Sequence, residues 1–231
     1  MTEQAAPARG GPAGPTVLGM PSVVVTAVLR IGVALLIAAA VVATLVSVWP
    51  VALPNFFGFF TVQGNVIGAV VAVVGAVRLL RGLPVTSAWT VVRWCTGTYL
   101  VVVGVVFWAL LAPLQATGGI PLPWANLVLH AVAPLAALLD LLLAPDRARP
   151  ALRLLPLVLV YPLVWTAVVL VRGATDGWVP YPFLSPAQGY GVVTAWVVLV
   201  AGVFTGAAAL LRLGLRPPAD VVRGRPGGAV E

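Results

Sequence analysis

The sequence predicts an all-α membrane protein, a polytopic bundle of six transmembrane helices. Hydrophobic residues make up 61% of the 231 residues and charged residues only 8%, whereas a soluble domain carries about 25% charged residues. The mean hydropathy is +1.09. The apolar residues form six runs of about 20 residues each, the length that a helix needs to cross a hydrocarbon core of about 30 Å.

Prolines, glycines and arginines separate the six runs. The first run is too long for the core of a signal peptide and lacks a clear cleavage site, so we expect it to remain as a helix. Asn55 is expected to cap the second helix, after Pro50 and Pro54. Pro156 and Pro162 are expected to kink the fifth. The predicted spans are 23–49, 56–80, 91–111, 124–143, 151–171 and 189–211.

Two polar ends flank a predicted transmembrane domain of residues 21–213. Residues 1–20 predict a disordered tail, and residues 214–231 predict a basic tail rich in Pro and Gly. Six spans place both tails on one side, where the arginines concentrate, and only Arg172 falls on the other side. The positive-inside rule therefore predicts cytoplasmic termini, in the cell (inner) membrane.

Composition also argues against several classes of function. The formal net charge is +7, but the arginines flank apolar segments, where they orient helices and contact anionic lipid, so we expect no nucleic-acid partner. The single cysteine, Cys95, excludes an intramolecular disulfide. One histidine and few carboxylates predict no metal site. No nucleotide-binding motif is present, so we expect no cofactor.

The predicted fourth helix carries the only histidine, His130, and a carboxylate, Asp140. Ionisable side chains at membrane depth cost roughly 3 kcal/mol each, so a functional role is the first hypothesis for them. Asp140 lies about 15 Å along the helix from His130, and we expect it to pair with an arginine near the cytoplasmic boundary. Arg30, near the start of the first helix, is expected to extend to the interface.

Thr61 and His130 each lie six residues from the predicted start of a helix, and both of these helices begin on the same side. At 1.5 Å per residue both side chains are expected about 9 Å deep. Asn65 follows Thr61 by four residues and Asn126 precedes His130 by four, so each asparagine shares a helix face with its neighbour. The sequence therefore predicts a hydroxyl, an imidazole and two amides at one level.

These groups suit nucleophilic chemistry, because a neutral imidazole can take the proton of a hydroxyl. Asn65, Gln63 or Asn126 could bind an oxyanion or orient the imidazole. A structural alternative stays open. A threonine in a membrane helix often bonds the carbonyl one turn back, here Phe57, and a buried His or Asn often links helices.

Small residues predict two helix-packing faces. Gly64, Gly68 and Ala72 recur at helical spacing on the second helix, and Gly202 and Gly206 do so on the sixth. Aromatic residues concentrate at the end opposite the termini. They predict either an interfacial belt or a lid over an outward-facing apolar cavity.

Four segments carry a resemblance to a known family: FFTVQGN (59–65), NLVLHAVAPLAALLD (126–140), YPLVWTAVVLVRG (161–173) and YPFLSPAQGY (181–190). Over about 23–212 the sequence resembles the bacterial branch of the androgen-induced-protein-like (FAR-17a-type) family of six-helix membrane proteins. The resemblance implies an intramembrane threonine hydrolase, since animal members cleave fatty acid esters of hydroxy fatty acids. By motif position it implies Thr61 and His130 as the catalytic residues. The sequence departs from the family pattern at Gly64, where a small polar residue is expected, and at Ser185, where an aspartate is more usual.

We therefore predict a lipid-ester hydrolase with a Thr61 nucleophile and a His130 base, and with membrane lipids and a lipid ester as its partners. Arg172, Tyr181 and Phe183 are the candidates for substrate binding, although pairing of Arg172 with Asp176 or a lipid phosphate is a simpler account. One alternative is a non-catalytic membrane protein that binds a lipid or a small apolar ligand in the same cavity. Another is a transporter, which would usually show an internal repeat that we do not find.

Overall fold

The computed structural model describes residues 20–114 and 119–215, and the two predicted tails lie almost entirely outside them. Within these ranges the chain forms six helices that are long and apolar enough to cross a membrane, and no strand. The predicted six-helix all-α fold is therefore confirmed. The helices are α1 Met20–Ser47, α2 Phe60–Leu80, α3 Ser87–Leu114, α4 Pro123–Leu143, α5 Leu152–Thr175 and α6 Tyr190–Gly214.

The loops divide between two ends of the bundle. The arginine-rich end contains the start of α1, the end of α6 and the loops 81–86 and 144–151. The opposite end contains the loop after α1, residues 119–122 before α4 and the loop after α5. Thr86 caps α3 at the arginine-rich end by accepting a hydrogen bond from the main-chain N–H of Trp89 at 3.2 Å, which satisfies one of the free donors of the first turn.

Three helices depart from regular α-helix. α3 ends in the π turn Phe107–Leu111 and a 3₁₀ turn, and α4 contains the π turn Val128–Val132. α5 begins as the 3₁₀ helix Leu152–Leu159, which contains Pro156. Pro162 lies in the first turn of the α-helical part that follows, where a missing N–H costs little.

The segment before α2 differs from the prediction. Asn55 does not cap α2 but lies in the one-turn helix Leu53–Phe56, and α2 begins only at Phe60, without a side-chain cap. Thr61 is therefore in the first turn of α2 and not six residues along it. The Asn55 Oδ1 atom accepts a hydrogen bond from Arg172 at 2.7 Å, so this side chain joins the segment before α2 to the last turn of α5.

α3 occupies the centre of the bundle, where it packs against α2, α4 and α6, while α1 packs mainly on α2. A methyl group at Gly68 would lie 2.7 Å from Leu100 Cδ1, so α2 and α3 meet closely at this position of the predicted small-residue face. At Gly202 and Gly206 no described atom lies within 4 Å of the same position. The packing face predicted for α6 is therefore wrong within this chain.

Four charged residues, the ion cluster, join α1, α3 and α4 near the arginine-rich end: Arg30, Arg93 and Asp146 are buried, and Asp140 is partly buried. Arg30 pairs with Asp140 at 2.7 Å and with Asp146 at 2.6 Å, and Arg93 pairs with the same two carboxylates at 2.7 and 3.2 Å. The arginine partner predicted for Asp140 is thus confirmed. The prediction that Arg30 extends to the interface is wrong, because it is only 5% exposed. Two carboxylates and the Gly75 carbonyl satisfy its donors inside the bundle.

Candidate active site

Thr61 and His130 meet inside the bundle, in the half that lies away from the arginine-rich end. The Thr61 Oγ1 atom lies 3.2 Å from His130 Nε2, and both residues are buried. This distance confirms that Thr61 and His130 lie at the same depth. They do so although Thr61 is in the first turn of its helix, because α2 begins further inside the bundle than α4 does. The Phe57 carbonyl, the alternative partner of Thr61, accepts a hydrogen bond from Gln63 Nε2 at 2.7 Å.

Asn126 holds the imidazole of His130 in one orientation. His130 Nδ1 lies 3.2 Å from the main-chain oxygen of Asn126 and is also hydrogen-bonded to Asn126 Oδ1. A carbonyl oxygen can only accept, so Nδ1 carries the ring proton and Nε2 presents its lone pair. The Thr61 hydroxyl therefore donates to Nε2, which is the direction that a general base requires.

Two aromatic side chains from α3 contact His130, one at the face of the imidazole and one at the main-chain carbonyl. Phe107, the first residue of the π turn in α3, stacks on His130 with ring centroids 3.8 Å apart and an interplanar angle of 16°. Trp108 Nε1 donates to the His130 carbonyl at 3.1 Å. That carbonyl lacks its α-helical donor because the residue four positions later is Pro134, which has no N–H. The tryptophan thus satisfies a group that the proline frees.

Tyr181, from the loop between α5 and α6, reaches Thr61. Its hydroxyl accepts a hydrogen bond from the main-chain N–H of Thr61 at 3.3 Å and lies 3.4 Å from Thr61 Oγ1. Burial raises the pKa of the Tyr181 hydroxyl, so this group stays protonated and remains a donor. The sequence predicts a substrate-binding role for Tyr181, and the structure places it beside the candidate nucleophile.

An apolar cavity of about 70 Å³, the Thr61 cavity, adjoins this group. Phe183 borders it and stacks on Tyr181 with ring centroids 5.4 Å apart. α5 packs on α6 mainly through Leu152–Leu159, so the two helices separate beyond that segment, and the cavity lies in the gap. Further lining residues are Phe60, Val103, Phe107, Leu163, Trp196 and Phe204.

The other two amides make structural contacts. Asn65 is fully buried, and its Nδ2 donates to the carbonyls of Thr61 at 2.9 Å and Leu129 at 3.2 Å, which links α2 to α4. Gln63 lies between the Phe57 carbonyl and the Tyr161 hydroxyl. The oxyanion role of these amides stays a prediction, and the Tyr181 hydroxyl is a donor that contacts Thr61 Oγ1 itself.

Arg172 makes its contacts within the loops of the opposite end. It pairs with Asp176 at 2.7 Å, donates to Asn55 Oδ1 and lies over the Trp178 ring, with Cζ 4.2 Å from the centroid. It does not border the Thr61 cavity. The contacts match the simpler account given above, and binding of a substrate carboxylate by Arg172 stays a prediction.

A sequence model of the FAR-17a/AIG1-like protein family matches residues 51–214. The match covers well over half of the chain and every element that contributes a residue to this site. The chain belongs to this family. α1 lies outside the match, and searches of curated proteins and of solved structures give no significant match. The FAR-17a/AIG1-like chain is thus a multi-pass helical membrane protein.

Three parts of this FAR-17a/AIG1-like site were not anticipated from the sequence: the stacking of Phe107, the Trp108 hydrogen bond and the contact of Tyr181 with Thr61. Pro134, four residues after His130, was the available signal for the second of these. It predicts an unpaired carbonyl at His130 that must find another donor. The YPFLSP segment carried the resemblance, but nothing in its residues indicates which side chain turns inward.

Proposed function

We propose that this FAR-17a/AIG1-like protein hydrolyses lipid esters within the membrane, with Thr61 as nucleophile and His130 as general base. One observation carries the proposal: the hydrogen-bonded series from Thr61 Oγ1 through both ring nitrogens of His130 to Asn126. A nucleophile, a base and a group that orients the base occur in this order in hydrolases of unrelated folds.

The chemistry takes two steps. His130 Nε2 accepts the proton of Thr61 as Oγ1 attacks the ester carbonyl carbon, and the tetrahedral intermediate collapses when the bond to the alcohol oxygen breaks. The leaving alcohol takes the proton from Nε2. Water then attacks the acyl-threonine with His130 again as base, which releases the acid and restores the Thr61 hydroxyl.

Tyr181 is the proposed donor to the oxyanion. Its hydroxyl lies 3.4 Å from Thr61 Oγ1, the attacking oxygen, and burial raises the pKa of this hydroxyl, so it stays protonated. A donor in a water-poor site stabilises developing negative charge strongly, and removal of one such donor typically costs about a hundred- to a thousandfold in turnover. We expect Tyr181→Phe to lower the turnover number by about this factor.

The surroundings of Thr61 favour a lipid as the substrate. The Thr61 cavity is bordered almost entirely by aromatic and branched aliphatic side chains and lies in the gap between α5 and α6. An acyl chain can enter this gap from the hydrocarbon without crossing water. Fatty acid esters of hydroxy fatty acids, the substrates implied by the family resemblance, have two such chains, one on each side of a single ester group.

We place the protein in the inner membrane with both termini in the cytoplasm, because the arginines concentrate at the end where the termini lie. The Thr61–His130 pair then lies in the outer half of the bilayer. Lipid in the outer leaflet would be the immediate source of substrate.

The test is turnover of a branched fatty acid ester of a hydroxy fatty acid by purified protein in detergent. Wild type is compared with Thr61→Ala, His130→Ala and Thr98→Ala, each checked by thermal melt. Thr98 is a matched control, because it is buried, does not border the Thr61 cavity and donates to the carbonyl one turn back. We expect the first two variants to lose at least about a thousandfold in turnover number, and Thr98→Ala to resemble wild type.

A fluorophosphonate probe adds an independent reading, since it should label wild type at Thr61 and not label Thr61→Ala. Equal labelling of both proteins would refute the nucleophile assignment. If folded wild type binds the ester without turnover, and the Thr61→Ala variant binds it as well, the protein is a lipid-binding protein and not a hydrolase.

A further inference from the structure

A second and larger cavity, the α1–α4 cavity, lies between the first four helices, with a volume of about 370 Å³. It shares no lining residue with the Thr61 cavity. Small side chains leave the space open, among them Gly68, Ala72, Ala133 and Ala136. A water molecule takes roughly 30 Å³ in the liquid, so about a dozen groups of methylene size fit inside.

The mouth of this cavity faces the surrounding membrane between α1 and α4. α1 packs more closely on residues 123–132 of α4 than on Ala133–Leu143. Leu29 on α1 and Leu139 and Leu143 on α4 border the opening and are well exposed. Because these side chains meet the hydrocarbon, a lipid chain can enter from the bilayer.

One end of the otherwise apolar cavity is polar, because the ion cluster borders it. The Nε, Nη1 and Nη2 atoms of Arg30 all donate to carboxylates or to the Gly75 carbonyl. Arg93 donates to Asp140 and to the main-chain oxygen of Asp146. The Asp140 side chain is 27% exposed, whereas Asp146 does not border the cavity. The cluster therefore presents carboxylate oxygen, an acceptor, to a ligand.

These features select one class of head group. An anionic head group would meet the Asp140 carboxylate, and the Nε and both Nη atoms of Arg30 and both Nη atoms of Arg93 are already paired with carboxylate or carbonyl oxygens. A cationic head group would lie beside two guanidinium groups. A neutral hydroxyl can donate to Asp140 without adding charge to a buried site, where an unpaired charge is costly.

We propose that the α1–α4 cavity binds a neutral, single-chain lipid with a hydroxyl head group. The chain of about twelve carbons fills the apolar part, and the hydroxyl donates to Asp140. This site is separate from Thr61, so the proposal does not depend on the hydrolase activity.

The test uses a photoreactive dodecanol probe with a diazirine in its chain, applied to the full-length protein in lipid nanodiscs. Labelled peptides are mapped by mass spectrometry, with dodecanol, dodecanoate and dodecylamine as competitors. We expect labelling on α1 and α4 beside the cavity, displaced by dodecanol and not by the two charged analogues. Labelling spread evenly over the six helices, or equal displacement by dodecanoate, would overturn the proposal.

Ala136→Phe fills the cavity and is expected to lower this labelling about tenfold, which corresponds to about 1.4 kcal/mol of binding free energy. Ala39→Phe is the matched control, because Ala39 is exposed on α1 and borders neither cavity. If Ala136→Phe does not fold, Ala72→Met fills the same space from α2 with a more flexible side chain. Undiminished labelling in a folded variant with the cavity filled would also overturn the proposal.

Discussion

The position of one proton on His130 determines what the Thr61–His130 pair can do. Two acceptors, Oδ1 and the main-chain oxygen of Asn126, face Nδ1, so the proton stays there and Nε2 remains a base toward Thr61. Removing the Asn126 side chain leaves the main-chain oxygen in place. The tautomer is then retained, but the ring is held less firmly.

We therefore expect Asn126→Ala to lower the turnover number by roughly ten- to a hundredfold, less than the loss of about 10⁴-fold when a triad histidine takes the wrong tautomer. The Michaelis constant should change little, because Asn126 does not border the Thr61 cavity. Steady-state kinetics of Asn126→Ala and Asn126→Asp check this, since aspartate restores the acceptor and should recover turnover. A loss in Asn126→Ala as large as in His130→Ala would contradict it.

At the scale of helices, the close approach of α3 to α4 fixes the π turn that carries His130. A Cβ atom at Gly104 would lie 3.1 Å from the His130 carbonyl oxygen and 3.1 Å from Pro134 Cβ. Both neighbours belong to the backbone or to a rigid ring, so neither can move aside easily. α3 would have to shift, and Phe107 and Trp108 would shift with it.

Gly104→Ala should therefore lower the free energy of unfolding by about 1–3 kcal/mol and also lower turnover. Gly202→Ala is the matched control, because it also replaces a glycine within a helix but adds its methyl group to open space. It should be neutral or stabilising by about 0.5–1 kcal/mol. Thermal melts and ester turnover of both variants check the prediction, and equal effects of the two would show that the contact with α4 is unimportant.

Hydropathy was sufficient to predict the helices, because the length of an apolar run decides whether it crosses a membrane. It did not predict where α2 begins, since Asn55 is a good cap in isolation and only the packing of loop 48–59 places it elsewhere. The Thr61–His130 contact was predicted from depth and from the resemblance, whereas Tyr181 was placed only as a substrate-binding residue. The burial of Arg30 could not be predicted, because Asp146, its second partner, is remote in sequence and lies outside the spans.

For the molecule as a whole, the arginine distribution predicts which end faces the cytoplasm. Single cysteines in a Cys95→Ala background test this with a membrane-impermeant maleimide. Leu83 lies in an exposed loop of the arginine-rich end, and Ala187 lies in an exposed loop of the opposite end. We expect Ala187→Cys to react in intact spheroplasts and Leu83→Cys to react only after permeabilisation. The reverse pattern would invert the topology and place Thr61 in the inner half of the bilayer.

The ion cluster connects α1, which lies outside the family match, to α3 and α4. Asp146 lies in the loop after α4, at 2.6 Å from Arg30 and 3.2 Å from Arg93. Burial alone would raise the pKa of its carboxyl, but the hydrogen bond from Arg30 and the two positive charges outweigh burial and hold this pKa below its usual value of 3.8. Because the pKa is lower in the folded state, the carboxylate stabilises the fold above about pH 4, and this contribution is lost as the pH falls further.

Asp146→Asn should therefore lower the free energy of unfolding by about 3–5 kcal/mol at neutral pH, since it leaves buried guanidinium charge without its partner. The difference in melting temperature from wild type should stay constant between pH 5 and pH 8 and narrow below about pH 4. Asp176→Asn is the control, because it removes a carboxylate that pairs with arginine at an exposed site and should cost far less. A difference that instead widens on acidification would mean that Asp146 is protonated in the folded state, and the charge balance of the cluster, with its role in holding α1, would have to be reassigned.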